Sequence, residues 1–184
     1  MNNSFYSEED LRNIGFESLG QNNLISKNSS FYKPENIKIG NNVRIDDFCI
    51  LSGNITIGSF VHISAFCALY GSNGIILEDY TGLSARTTIY SLIDDFSGEN
   101  LVGPLVPQNF TKAYGGNVLV KKYSQIGASC IIFPNLIIGE GVAVGAFSLI
   151  KNSLEEWYIY AGIPVKKIKE RKKDMLNKLT KNDF

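Results

Sequence analysis

Several things are scarce in this chain of 184 residues: it has one histidine, one tryptophan, two methionines, three cysteines and five prolines. The three cysteines, Cys49, Cys67 and Cys130, are an odd number with neither C-x-x-C spacing nor a histidine nearby, which argues against a disulfide framework or a zinc site. No apolar run approaches the roughly 18 residues of a membrane span, and Met1 to Asp10 carries three acids and no basic leader. These absences predict a cytoplasmic protein without a membrane span. There is no net charge either: 18 basic residues balance 18 acidic ones, so the overall positive field that neutralises nucleic-acid phosphates is missing and no nucleic-acid partner is expected. The charge is uneven, however. Pro164 to Phe184 holds eight basic residues against Glu170, Asp174 and Asp183, leaving +5 there and −5 elsewhere.

What the chain does have is a beat. Aliphatic or aromatic residues recur every six positions at Leu19, Ile25, Phe31, then Ile39, Ile45, Leu51, Ile57, Ile63, Leu69, then Leu77, Leu83, Ile89, and again at Val120, Ile126, Ile132, Ile138, Val144, Ile150. Neither the 3.6 period of a helix nor the 2.0 period of a strand produces this. It fits a coil with three short flat faces, each opened by one inward residue, and predicts an all-β solenoid of about six coils, stacked about 4.8 Å apart. Glycine often follows the marker, as in Ile39-Gly40, Ile57-Gly58 and Ile126-Gly127, where a tight corner suits a residue without Cβ. The position four after the marker is small or β-branched, and all three cysteines fall there, which predicts buried, inert thiols.

The beat stops between residues 90 and 117, where Asp94, Asp95, Gly98, Gly103, Pro104 and Pro107 follow no period. This reads as a long excursion from one corner, and loops of that length are commonly functional. Ser7-Glu8-Glu9-Asp10 reads as the cap and acidic first turn of a short helix. After Pro164, the apolar residues Val165, Ile168, Met175, Leu176 and Leu179 among lysines predict an amphipathic C-terminal helix. The expected organisation is therefore a helical cap over 1–18, a β-coil over 19–163 and a basic helix over 164–184.

The hexads, the excursion from a middle coil and Ala161-Gly162-Ile163-Pro164 followed by basic residues resemble the hexapeptide-repeat acyltransferases, over roughly Leu19 to Lys173. The resemblance implies a left-handed parallel β-helix, a handedness that the usual crossover rule would not choose. Within that family the chain looks most like the galactoside and maltose O-acetyltransferases and the O-antigen and capsule O-acetyltransferases. It is implied to be a homotrimer holding acetyl-CoA between coils, with the acceptor at the subunit boundary. By that resemblance Gly127, Ala128 and Ala146 line the pantetheine arm. Lys166 and Lys169 stand where two arginines meet the CoA phosphates, and Lys151 stands one position from a cofactor lysine. The galactoside and maltose enzymes carry a catalytic histidine in a Gly-His-Pro loop, where this chain reads Ser91-Leu92-Ile93-Asp94-Asp95.

Transfer to a sugar hydroxyl at neutral pH needs a base, because the hydroxyl must lose its proton as the bond forms. His62 is the only imidazole and takes that role by census, with Asp94 and Asp95 as carboxylates to orient it or to hold the acceptor. The first expectation is acetyl transfer to a hydroxyl of a cell-surface glycan or its precursor. A second is N-acetylation of a nucleotide-linked amino sugar, and a third, of another class, is a non-catalytic binding scaffold. The zinc carbonic anhydrases built on the same coil take three histidines per site, which this chain does not supply.

Overall fold

The computed structural model describes residues 4–178. Its body is a three-faced coil of parallel strands. One face stacks Leu24–Ile25, Arg44–Ile45, His62–Ile63, Gly82–Leu83, Gln125–Ile126, Ala143–Val144 and Tyr158–Ala161, each paired in parallel with the next. On the other two faces the register runs Leu19 to Ile39 to Ile57 to Leu77 to Val120 to Ile138, and Phe31 to Leu51 to Leu69 to Ile89 to Ile132 to Ile150. These are the six-residue markers, stacked in six full turns as their spacing predicts. Most are completely buried, and β-branched side chains suit such a narrow pleated interior.

The corners carry an unusual feature. Phe48, Phe60, Phe66, Tyr80, Tyr123 and Trp157 all have positive φ, a region that costs an L-residue about 1–2 kcal/mol. Stacking across coils offsets that cost: Phe60 and Tyr80 lie with ring centroids 4.8 Å apart, and Tyr80 and Tyr123 5.4 Å apart, pairs worth about 0.5–1.5 kcal/mol each. Phe60, Tyr80, Tyr123 and Trp157 thus form one ladder beside the face that carries His62, while Phe48 stacks on Phe66 at another corner.

The cysteines are fully buried. Their thiols donate to corner carbonyls, Cys49 to Ser64 at 3.1 Å, Cys67 to Ser84 at 3.2 Å and Cys130 to Gly145 at 3.2 Å. Within the Cys49–Cys67 pair the hydrogen bond from Cys67 lowers Cys49 and the Cys49 thiol and burial push Cys67 up, and burial pushes Cys130 up; it is their complete burial that keeps the three thiols from reagents. Residues 90–117 leave the coil as an arm whose root is an antiparallel pair, Leu92–Asp94 with Ala113–Gly115. The N-terminal helix is Glu8–Asn13, with a capping box between Ser7 and Asp10.

The segment after Pro164 differs from expectation. Lys166–Glu170 is a strand, antiparallel to Tyr158–Ala161, followed by a 3-10 helix at Asp174–Lys178. The last coil would otherwise leave a row of unpaired N–H and C=O groups, and pairing with that edge outweighs the weak helical pattern of five apolar residues. Arg171 then pins the segment, its guanidinium donating to the carbonyls of Tyr123 at 2.8 Å and Gly141 at 3.0 Å. Leu179, Lys181 and Asp183 lie outside the described residues. Among the described residues no helix is long and apolar enough to cross a membrane.

Candidate active site

Residues flanking an inward marker point outward, so one face of the coil presents Arg44, His62, Gly82 and Gln125 in a column. Beside it runs a second column, Asp46, Ser64, Ser84 and Gly127, each the residue after a marker. Glycine at 82 lets the Gln125 side-chain amide lie over the backbone between His62 and Gln125, where a Cβ would run into it. The result is a groove of about 200 Å³ lined by Phe60, His62, Ser64, Tyr80, Ser84 and Gln125, among others. Tyr80 and Gln125 also line the next hollow along, with Tyr123 and Met175, and Met175 joins that to a trough bordered by Lys169 and Lys172. A path therefore leads from His62 and Ser84 along the aromatic ladder to the basic C-terminal strand. A concavity of about 620 Å³ lies elsewhere, between the N-terminal helix and the first coil, and lacks such a constellation.

His62 is half exposed, its Nε2 2.8 Å from Asp46 Oδ2. The other Asp46 oxygen accepts from Arg44 Nε at 2.7 Å. Burial alone would raise the Asp46 carboxyl, but the hydrogen bonds from His62 and Arg44 win and hold it below the usual carboxylate range. A lowered folded-state pKa favours the fold above the unfolded value and loses that contribution as pH falls through the folded one, so Asp46 remains a carboxylate throughout the neutral range.

The other expected site residues separate. Asp94 is exposed at the root of the arm. Asp95 is only 3% exposed and both its oxygens are taken by the arm itself, from Ser97 N at 2.9 Å and Asn100 Nδ2 at 2.8 Å. The Ser97 amide is the main cause of its lowered pKa, and the residue is a turn-former rather than the catalytic carboxylate expected. Within one chain neither aspartate lines the His62 groove. Gly127 is packed so closely under the next coil that a Cβ would come within 2.5 Å of Ala146 N, which places Gly127, Ala128 and Ala146 together at one corner. Lys151 is held with Nζ 5.5 Å from the Phe133 ring centroid. Lys167 is paired with Glu155 at 2.6 Å, whereas Lys166 and Lys169 enter no ion pair among the described residues. Nothing in the spacing of the sequence distinguishes Ser84, Asp46 or Gln125 from other outward polar residues.

Comparison with known proteins places this arrangement. Residues 36–71 match the family model described as bacterial transferase hexapeptide (six repeats). The chain is 40% identical over 176 residues to dTDP-4-amino-4,6-dideoxy-D-glucose acyltransferase of Escherichia coli, covering 94% of this chain and 92% of that one. It is 57% identical to AntD, an N-acyltransferase from Bacillus cereus solved with dTDP and 3-hydroxybutyryl-CoA, with a TM-score of 0.94, covering 96% of this chain and 95% of that chain. AntD has also been solved as the variants S84A, S84C, S84T, D94A and D94N. A maltose O-acetyltransferase from Clostridium difficile 630 shares the fold, at 21% identity and a TM-score of 0.59, covering 94% of this chain and 81% of that chain. The stacked hexads, the arm and the full-length likeness agree: the chain belongs to the hexapeptide-repeat acyltransferases and is an acyltransferase built on their left-handed parallel β-helix.

Proposed function

We propose that this protein transfers an acyl group from an acyl-CoA to the amino group of a dTDP-linked 4-amino-4,6-dideoxy sugar. The observation that carries the reading is the 57% identity to AntD over 96% of the chain, joined to a serine at 84 and an aspartate at 94 here, the same residue types at the same numbers as those varied in AntD. The first expectation, a glycan hydroxyl, has behind it a shared fold with the maltose enzyme and 33% identity over 36% of the chain to a lipopolysaccharide biosynthesis O-acetyl transferase of Escherichia coli, against near full-length likeness to the amine enzymes, so the amine takes its place.

The chemistry balances simply. The neutral amine attacks the thioester carbonyl carbon, the C–N bond forms, the C–S bond breaks, and CoA leaves as a thiolate that is protonated to the thiol. The amine's proton goes to His62, which lies in one groove with Ser84. Ser84 and the exposed Asp94 hold the acceptor, Asp94 from a neighbouring subunit of a homotrimer, since within one chain it stands apart from the groove. Gly127, Ala128 and Ala146 accept the pantetheine arm, and Lys166 and Lys169 the CoA phosphates. Lys151, held over Phe133, falls outside that set.

The test is product identity. With dTDP-4-amino-4,6-dideoxyglucose and either acetyl-CoA or 3-hydroxybutyryl-CoA, mass spectrometry should find the amide alongside stoichiometric free CoA. Turnover only with a sugar lacking the amine would overturn the reading. Replacing Lys166 and Lys169 together by alanine should raise KM for acyl-CoA about tenfold with kcat little changed, because phosphate contacts are alike in ground and transition states. An unaltered KM removes both lysines from the site.

A further inference from the structure

The histidine that the proposed reaction uses does not stand alone. Arg44 and Asp46 flank the inward Ile45, so both face outward one coil before His62, and strand pairing sets Arg44 beside His62. Asp46 closes the arrangement: one oxygen meets His62 Nε2 at 2.8 Å, and the other is fixed by Arg44 Nε at 2.7 Å. Arg44 is itself steadied, its guanidinium carbon 5.4 Å from the Phe5 ring centroid. The Asp46 side chain is 20% exposed, against 50% for His62, so the carboxylate is the better-held member of the pair.

We propose that Asp46 is a positioning residue for acyl transfer, holding neutral His62 in its Nε2–H form so that Nδ1 is the nitrogen free to take the acceptor's proton. This rests on His62 being the base of the reaction given above. The reasoning is one of hydrogen-bond inventory. A carboxylate only accepts, so the ring nitrogen facing it carries the hydrogen, and in a neutral imidazole the other nitrogen then carries the lone pair. Arg44 occupies the second oxygen and keeps the carboxylate from turning away. When Nδ1 takes the proton from the attacking amine, the imidazolium lies against a fixed negative charge, and Asp46 stabilises it without being protonated. An exposed ion pair alone would be worth little to the fold, so the effect belongs in the rate.

The chain's single histidine makes the test unusually direct. Long-range proton–nitrogen spectra of the untagged protein report His62 alone, and they should show the Nε2–H tautomer in the wild type and a mixture in Asp46→Asn. Asp46→Asn should lower kcat about tenfold or more while KM for acyl-CoA stays within about twofold. In a His62→Asn background the same change should cost nothing further, since Asp46 acts only through the imidazole. An Nδ1–H tautomer in the wild type overturns the proposal, and needs no variant to fold. So does an Asp46→Asn enzyme at full speed, or a full additional loss in the double variant, even where His62→Asn alone is crippled and the base assignment stands. Full turnover in His62→Asn removes the base assignment itself, and absence of amide product from the wild type removes the reaction.

Discussion

Replacing His62 with asparagine is expected to lower kcat about a hundredfold, the usual lower scale for losing a general base, while leaving acyl-CoA affinity nearly unchanged. Asparagine keeps the size and a hydrogen-bonding group beside Asp46, so the column Arg44, His62, Gly82, Gln125 should retain its spacing and the groove its shape. What disappears is the proton acceptor. An amine acceptor needs that service less than a hydroxyl would, because once neutral it is already nucleophilic, but it must still lose a proton as the amide forms. Initial rates by CoA release, with a thermal scan to show an intact fold, make the comparison. Near-wild-type turnover would leave catalysis to Asp94, Ser84 and positioning, and would reduce His62 to an outward polar residue.

Much of the fold was legible because a solenoid writes its register into the chain. Once Ile39, Ile45 and Leu51 are read as three faces of one turn, every later marker falls on an earlier one, and the burial of Cys49, Cys67 and Cys130 follows from their place four residues after it. The C-terminal segment was not legible in the same way. Lys166–Glu170 is exposed along its length and carries no buried inward residue to set a period, so its conformation is decided by the open edge of Tyr158–Ala161, a feature that exists only after the coil has formed. Asp94 and Asp95 illustrate a finer limit. Adjacent in sequence and alike in chemistry, they diverge because successive residues leaving a strand face opposite ways, and only Asp94 remains exposed.

The site is less legible than the fold. The residue after a marker is Ser26, Asp46, Ser64 and Ser84 on the His62 face but glycine again at Gly127 and Gly145, and on the neighbouring face it is Gly20, Gly40, Gly58 and Gly139 but also Glu78 and Lys121. No local pattern therefore marks Asp46 or Ser84. The hydrogen bond between Asp46 and His62 is hidden for a second reason, since their separation of sixteen residues becomes a contact only through the rise of one coil.

The largest effect on stability is expected from Leu69→Ala, a loss of about 2–5 kcal/mol, toward the upper end of that range. Leu69 is completely buried between Leu51 and Ile89 in the third of the six turns. In an ordinary core, neighbours relax into a vacated space. Here the backbones above and below are held apart by continuous ladders of interstrand hydrogen bonds, so the cavity persists and its full cost is felt. The position also matters. Solenoid stability is carried by interfaces between adjacent coils, so loosening the third turn weakens its contact with both the second and the fourth. The third turn carries His62, the second Asp46 and the fourth Ser84, and activity should therefore fall at temperatures below the main unfolding transition. Trimming a less central marker, as in Ile25→Val, should cost only about 0.5–1.5 kcal/mol and spare activity. Denaturant unfolding at fixed protein concentration, paired with activity across temperature, measures both. A loss below about 1 kcal/mol for Leu69→Ala would mean that the coils close over the gap and that the stack is far more compliant than its ladders imply.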